Sequence, residues 1–185
     1  MARFASNPVL LPPDQYLEME LTSPVKHEYI AGSIYAMTGS SDTHNLIALN
    51  LAMILRDHLK GTPCRVFMAD VKVRIESANV FYYPDLMVSC ESPRNRYYRE
   101  QPILIVEVLS TSTANFDARA KRDDYQKLES LREYVLVSQE CMDVRVYRRV
   151  ESKWELSIYT DHSAIPLNSV ELEIPIERIY EDVWG

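Results

Sequence analysis

Two carboxylates lie within strand-like runs that are otherwise apolar. Asp85 is at the centre of YYPDLMV, and Glu107 lies in PILIVEVL. Apolar runs of this length predict strands that are covered on both faces. A carboxylate in such a strand is costly unless it meets a cation or several hydrogen-bond donors. Asp85 and Glu107 are therefore the first candidates for chemistry.

The connection between the two runs, residues 91–102, is polar and too short for a crossover helix. The strands should therefore pair antiparallel. If Asp85 and Glu107 lie opposite each other, the pairing is centred on residue 96, in the middle of the connection. Neighbouring carboxylates repel, and a hard divalent ion such as Mg²⁺ or Mn²⁺ removes the repulsion. The alternative is that one or both lie at strand ends, solvated or paired with Arg or Lys.

A lysine on the following segment is the third candidate. The sequence TANFDARAKRDDYQKLES predicts a helix over 113–130, and Lys121 lies on its apolar stripe. The stripe is formed by Ala114, Ala118, Tyr125 and Leu128. An ammonium on a core-facing stripe needs an anion, so we expect Lys121 to converge with Asp85 and Glu107. The alternatives are that its amine reaches solvent or that it pairs only with Asp117. Asp117 and Tyr125 are accessory candidates.

The polar connection carries a cluster that could contact nucleic acid. It consists of Arg94, Arg96, Tyr97, Tyr98 and Arg99. Arginines can bind phosphates, and aromatic rings can stack on bases. Solvated arginines of a hairpin loop are the alternative. We predict that this cluster lies next to the proposed metal.

The remaining patterns predict the elements that position these residues. A short helix over 11–20 precedes a hairpin around Gly32, and a long helix runs from Ser41 or Asp42 to Gly61. The body of that helix is apolar almost all round, which favours burial against the sheet and against a second copy in a homodimer. Strand patterns follow over 64–75, 133–139 and a hairpin over 142–160. The prediction is a single α/β (α+β) domain over 1–185.

Composition narrows the classes of function. The chain has 185 residues, 46% of them hydrophobic, with a net charge of −7 and a pI near 5.1. This balance argues against a protein that coats nucleic acid through a broad basic surface. Cys64, Cys90 and Cys141 have neither disulfide-framework nor zinc-site spacing. We expect a cytoplasmic protein with no signal peptide and no membrane partner.

The motifs resemble, in order and spacing, the Uma-two family of proteins described as restriction endonucleases, within the PD-(D/E)xK nuclease superfamily. The blocks that carry the resemblance are YYPDLMV, ILIVEVLSTST, FDARAKRDDYQKL and REYVLVS, with HEYIAGSIYAMTGSSDTHNLIALNL upstream. The similarity covers residues 16–147. It implies the restriction-endonuclease-like fold, a mixed central β-sheet flanked by helices.

The resemblance also implies roles for individual residues. It implies a metal held by Asp85, by Glu107 and by the main-chain carbonyl of Val108. The superfamily pattern places a lysine where this chain has Leu109, whereas in this family the lysine comes from the next helix, where Lys121 matches.

Two upstream residues match further positions of the family. Glu28 matches an acidic position of the first hairpin, as an extra ligand of the metal or through a water. His44 matches a histidine at the start of the long helix, in a catalytic or a structural role.

These observations predict a Mg²⁺-dependent endonuclease acting on DNA, with Mn²⁺ as a substitute ion. A metal would activate water and shield the phosphate, and Lys121 would add positive charge beside it. Two other functions stay open. One is a nuclease acting on RNA or structured DNA. The other is a non-catalytic, dimeric binding or scaffold domain that retains a nuclease fold.

Overall fold

The computed structural model describes residues 10–92, 94–109 and 120–184. These residues form four α-helices: α1 (Pro13–Glu20), α2 (Asp42–His58), α3 (Arg122–Tyr125) and α4 (Ile176–Ile179). They also form thirteen strands: β1 (His27–Ile30), β2 (Ser33–Ala36), β3 (Arg65–Met68), β4 (Lys72–Ile75), β5 (Val80–Tyr82), β6 (Leu86–Ser89), β7 (Tyr98–Arg99), β8 (Pro102–Leu109), β9 (Glu133–Ser138), β10 (Val144–Val150), β11 (Lys153–Tyr159), β12 (Ala164–Leu167) and β13 (Leu172–Pro175).

The strands form two large sheets and one small one. The six-stranded sheet has the order β11-β10-β9-β8-β6-β3, with β8 and β9 parallel and the other pairs antiparallel. The five-stranded sheet has the order β2-β1-β5-β4-β7, and β12 pairs with β13. The sequence predicted one central sheet. The second large sheet arises because each of the segments 65–75 and 80–89 contributes one strand to the six-stranded sheet and one strand to the five-stranded sheet.

Alternation along β8 separates two cores. Val106 and Val108 face α2 and the C-terminal elements, whereas Ile105 faces the five-stranded sheet. Glu107 has the same parity as Ile105 and therefore points between the two sheets. A third, aromatic cluster joins α1 to the outer face of the five-stranded sheet. The site residues thus lie where the two large sheets meet.

The first hairpin turns through two residues with positive φ. Ile30 pairs with Ser33, and Ala31 and Gly32 between them have φ values of 47° and 97°. Such a two-residue turn matches the right-handed twist of the strands that it connects. A Cβ at Gly32 would lie 2.7 Å from Leu10 Cβ, so the close approach of the N-terminal segment also requires glycine.

Helix α2 starts at a side-chain cap, as predicted. The Ser41 hydroxyl accepts a hydrogen bond from His44 N at 3.1 Å. One side of α2 packs on the six-stranded sheet, and Leu49 and Met53 point outward with 43% and 63% exposure. The homodimer expected from this helix stays a prediction. No helix among the described residues combines the length and apolarity needed to cross a membrane.

The helix predicted over 113–130 differs from the described part of that segment. Residues 110–119, and with them Asp117, lie outside the described residues, and α3 ends at Tyr125. The guanidinium of Arg149 donates to the carbonyls of Gln126 and Leu128 at 2.9 and 2.7 Å. These carbonyls are satisfied by a distant strand, so the chain turns there instead of continuing as a helix.

The expectation of no disulfide is wrong for one pair. Cys64 and Cys90 are bonded, and Cys141 is a free, exposed thiol. Arg65 pairs with Ser89 in the β3–β6 ladder, so the two cysteines are the next residues along the same register. Their separation of 26 residues in sequence gives no local sign of this pairing.

Candidate active site

The β6 and β8 strands bring Asp85 and Glu107 together in the predicted register. Leu86 pairs with Val106 in an antiparallel ladder, so the next pair along the ladder is Asp85 with Glu107. The antiparallel pairing is confirmed, and its centre at residue 96 holds for the three pairs from Leu86–Val106 to Val88–Leu104, before the register shifts at Ser89. Asp85 N also donates a hydrogen bond to Glu107 Oε2 at 3.3 Å, which joins the two residues directly.

Two donors hold one oxygen of Asp85. Val108 N donates to Asp85 Oδ2 at 2.7 Å, and His44 Nε2 lies 3.1 Å from the same oxygen. His44 reaches this position because Ser41 caps α2 one turn earlier. The side chains of Asp85 and His44 are 19% and 14% exposed. Asp85 is thus fixed by its neighbours and still reaches the solvent of the cleft.

Glu107 is more deeply buried and has a different set of partners. The Tyr125 hydroxyl donates to Glu107 Oε1 at 3.0 Å, and Lys121 Nζ lies 3.5 Å from the same oxygen. Burial, together with the negative charge of Glu107, raises the pKa of Tyr125 well above its ordinary value. Tyr125 is therefore a permanent donor to this carboxylate. The predicted accessory residue Tyr125 is thus in contact with the site.

Lys121 links Glu107 to the first hairpin. Its Nζ lies 2.8 Å from Glu28 Oε1, and both side chains are about nine-tenths buried. Glu28 Oε1 also accepts a hydrogen bond from Tyr83 N at 3.2 Å. The lysine lies 5.4 Å from the centre of the Tyr82 ring. The structure therefore brings together all four residues proposed as catalytic: Asp85, Glu107, Lys121 and Glu28.

A buried polar network behind Glu28 was not predicted from the sequence. The Tyr83 hydroxyl donates to Glu20 Oε1 at 3.0 Å and accepts from Lys72 Nζ at 3.0 Å. Glu20 also accepts from His27 N at 2.9 Å. Desolvation lowers the pKa of Lys72. In the sequence, the local sign of this network is a lysine next to positions that are buried in a strand. The partners of this lysine come from other segments of the chain, so local patterns do not reveal them.

The four proposed residues line one open cleft of about 840 Å³. The cleft is bounded by the first hairpin, the residues before α2 and the ends of β6 and β8. Val108, His44 and Tyr83 also line it. The described residues therefore place the carboxylates, the lysine and the histidine on one accessible surface.

The predicted nucleic-acid cluster does not lie next to the carboxylates. In the five-stranded sheet, Glu28 of β1 and Arg99 of β7 are three strand spacings apart, about 14 Å. None of the described residues that line the cleft comes from this cluster. The position predicted for the cluster is wrong because the cluster lies near the turn of the hairpin. Asp85 and Glu107 are paired at the opposite, open end.

The members of the cluster also have different surroundings. Arg99 is buried, donates to the carbonyls of Asn95 and Tyr98 at 2.6 and 2.7 Å, and lies 4.4 Å from the Phe67 ring centre. Tyr98 is part of β7 and half-buried. Arg94, Arg96 and Tyr97 are exposed. The exposed three keep the predicted contact with nucleic acid as a hypothesis.

The donor set suits a hard divalent ion with few protein ligands. Among the described residues, no group of three or more His, Cys, Asp or Glu side chains has an arrangement that could hold a metal. Mg²⁺, however, is commonly held by one or two carboxylates and keeps several waters. The hydrogen bonds to Asp85 from the described residues converge on Oδ2. Asp85 and Glu107 therefore fit such an ion, and Val108, whose N–H contacts Asp85, lies beside them.

Comparison with known proteins agrees with the motifs and the fold. The model of the Uma2 family, described as "Putative restriction endonuclease", matches residues 13–177. The chain belongs to the Uma2 family. Two relatives, both named as uncharacterized proteins, come from Synechocystis sp. (strain ATCC 27184 / PCC 6803 / Kazusa). The protein slr1290 is 33% identical over 174 residues, 92% of this chain and 91% of its own length. The protein sll1609 is 34% identical over 148 residues, which are 77% of this chain and 84% of its own length.

A solved structure shares the fold of this Uma2 chain. It is the 1.96 Å crystal structure of "a putative nuclease belonging to DUF820" from Anabaena variabilis, with a TM-score of 0.79 and 18% identity. The match covers 96% of this chain and all of that one. The predicted α/β (α+β), restriction-endonuclease-like fold class is confirmed. Family and fold together support a nuclease.

Proposed function

We propose that this Uma2 protein is a metal-dependent endonuclease that hydrolyses phosphodiester bonds of DNA. The observation that carries the proposal is the meeting of Asp85, Glu107, Lys121 and Glu28 in one cleft, within contacts of 2.8 to 3.5 Å. Carboxylates from β1, from β8 and from the residue before β6, with a lysine from the residue before α3, would not be gathered by core packing, since burying charge costs free energy.

Asp85, Glu107 and the main-chain carbonyl of Val108 would hold the metal, with Mg²⁺ as the natural ion and Mn²⁺ as a substitute. When bound, the ion supplies positive charge to the phosphate and makes a water molecule easier to deprotonate. The protein keeps both carboxylates in place through Val108 N and Tyr125. His44 adds a third fixed contact, at Asp85.

Lys121 would stabilise the charge that grows on the phosphate oxygens during attack by water. Its ammonium is aligned between Glu28 and Glu107, so it needs little reorganisation when substrate binds. Glu28 would hold the lysine in the direction of the cleft, with Tyr83 N fixing the carboxylate. These are roles of positioning and electrostatics, and no covalent intermediate with the protein is required.

Cleavage of labelled single-stranded, duplex and branched DNA, with and without Mg²⁺, tests the proposal. The wild type should cut at least one of them only when the ion is present, and Glu107→Gln should not cut any. Glu91→Gln is the matched control, because Glu91 accepts hydrogen bonds from Glu100 N and Ser89 at the far end of the same hairpin.

Three outcomes would contradict the proposal. Cleavage that persists in Glu107→Gln would assign the activity to another site or to a contaminant. Failure of the folded wild type to cut any DNA while cutting RNA would replace DNA by RNA as the substrate. Failure on every nucleic acid would favour the non-catalytic binding or scaffold domain.

A further inference from the structure

The first hairpin forms one wall of the cleft, and strand alternation decides which of its side chains face the site. Glu28 of β1 is the direct cross-strand partner of Tyr35 in β2. Such partners project from the same face with Cβ atoms about 4.5–5.5 Å apart. Glu28 is the carboxylate that contacts Lys121. Tyr35 therefore lies beside the charged groups of the site, and both residues line the cleft.

Tyr35 presents an aromatic ring to the solvent of the cleft. It is 54% exposed, and Val25, which also lines the cleft, is 45% exposed. Tyr29, the tyrosine of β1, points to the opposite face and is buried against the rings of Tyr16 and Phe81. The hairpin thus uses one tyrosine for the core and leaves the other as an apolar surface next to the site.

Positive charge in the cleft is scarce and already paired. Among the described residues that line it, the lysines and arginines are Lys26 and Lys121. Lys26 donates to the Ala69 carbonyl at 3.1 Å and forms an ion pair with Asp70. Lys121 is paired with Glu28. The described part of the cleft therefore lacks the row of cationic contacts that usually binds the backbone of a duplex.

We propose that Tyr35 is a stacking site for an unpaired base beside the scissile phosphate, so that the substrate is a single-stranded segment of DNA. Within a duplex both faces of each base are covered by neighbouring bases, whereas an unpaired base can stack on an aromatic ring. The inference rests on the proposed function, which sets where the scissile phosphate lies.

Binding of fluorescent oligonucleotides tests the stacking site. Anisotropy is measured in Ca²⁺ for a single-stranded DNA, its duplex and an RNA of the same sequence, with a gel to verify that the strands stay intact. The wild type should bind the single-stranded DNA most tightly. Tyr35→Ala should weaken this binding about 5- to 150-fold, which corresponds to one stack of about 1–3 kcal/mol.

Two control variants separate stacking from other effects. Tyr35→Phe keeps the ring and should keep wild-type affinity. Ile34→Ala alters the same strand on its opposite face, where Ile34 is 40% exposed, and should also bind as the wild type does. With at most two phosphate contacts, the slope of log affinity against log salt should be no steeper than about −1.4.

Three results would overturn the inference: equal binding of duplex and single strand, unchanged binding by Tyr35→Ala, or tighter binding of RNA than of DNA. Cleavage of the same DNAs in Mg²⁺ separates this failure from failure of the proposed function. Binding that depends on Tyr35 without any cleavage supports the stacking site and contradicts the nuclease. Equal cleavage of duplex and single strand by wild type and Tyr35→Ala contradicts the stacking site and leaves the nuclease standing.

Discussion

Lys121 carries the ammonium that two buried carboxylates share. Replacing it in Lys121→Met leaves Glu28 and Glu107 facing each other without this cation, so unfolding should require about 3–5 kcal/mol less free energy. Cleavage should fall about 10²- to 10³-fold, the usual cost of one charge-stabilising group. Metal binding should persist because Asp85 and Glu107 remain. Cleavage rates and urea unfolding measure both effects.

Lys127→Met is the control for this change. Lys127 is also a lysine paired with a carboxylate, at 2.6 Å from Asp124, but its side chain is 47% exposed. A surface pair of this kind is worth at most about 1 kcal/mol, so stability and cleavage should both stay close to wild type. If Lys121→Met cuts DNA as fast as the wild type, the role assigned to Lys121 is wrong.

The sequence was sufficient to predict the position of those site residues whose placement follows from local patterns. The neighbourhood of Asp85 and Glu107 followed from a short polar connection, and the inward direction of Lys121 from an apolar stripe. The network of Tyr83, Glu20 and Lys72 did not follow. Its members come from α1, from β4 and from the connection between β5 and β6, and no local pattern specifies how these segments pack together.

At the scale of elements, the start of α2 positions His44 against Asp85. Ser41→Ala removes the hydroxyl that accepts from His44 N, which should lower the free energy of unfolding by about 0.5–2 kcal/mol. The first turn should then hold His44 less well, so affinity for Mn²⁺ should fall as well. Ser41→Asn is the matched control, since asparagine caps helices and should restore both quantities. Equal losses in the two variants would show that capping is not the cause.

The outward face of α2 is the element that we expect to pair in a homodimer. Leu49 and Met53, four residues apart, expose apolar side chains on one side of the helix. Light scattering across a range of protein concentrations should give twice the chain mass of 21.4 kDa. Met53→Lys should shift the mass to that of one chain. A wild type that stays monomeric at all concentrations would remove this prediction.

The order and type of most elements could be predicted, but their distribution between sheets could not. Periodicity identified the first hairpin, α2, β8, β9 and the β10–β11 hairpin. It could not show that β5 and β6, separated by Tyr83, Pro84 and Asp85, belong to different sheets. That separation depends on which strands pair at long range, and pairing also decides that Glu28 faces Lys121.

At the scale of the whole molecule, buried tyrosines make stability sensitive to alkaline pH. Burial raises the pKa of five of them above the ordinary value near 10: Tyr16, Tyr82, Tyr83, Tyr125 and Tyr180. The folded state keeps phenolic protons that the unfolded state loses above pH 10. Their stabilising effect is therefore complete below pH 10 and is lost as the pH rises further.

Unfolding by urea at several values of pH from 8 to 12 measures this loss. Tyr125→Phe removes one of the five groups, so above pH 10 its free energy of unfolding should fall less steeply, by up to about 1.4 kcal/mol per pH unit. Lys72 acts in the opposite sense, because burial lowers its pKa, but it is a single group. Identical slopes for wild type and Tyr125→Phe would contradict the assignment of this sensitivity to Tyr125.

We propose that the cleft holds a divalent metal between the carboxylates of two paired strands. Calorimetric titration of Mn²⁺ into metal-free wild type, Glu107→Gln and Glu91→Gln tests it most directly. We predict saturable binding at one site in the wild type and in Glu91→Gln, and its loss in Glu107→Gln. No saturable binding to the wild type, or equal binding to wild type and Glu107→Gln, would contradict a metal site between Asp85 and Glu107.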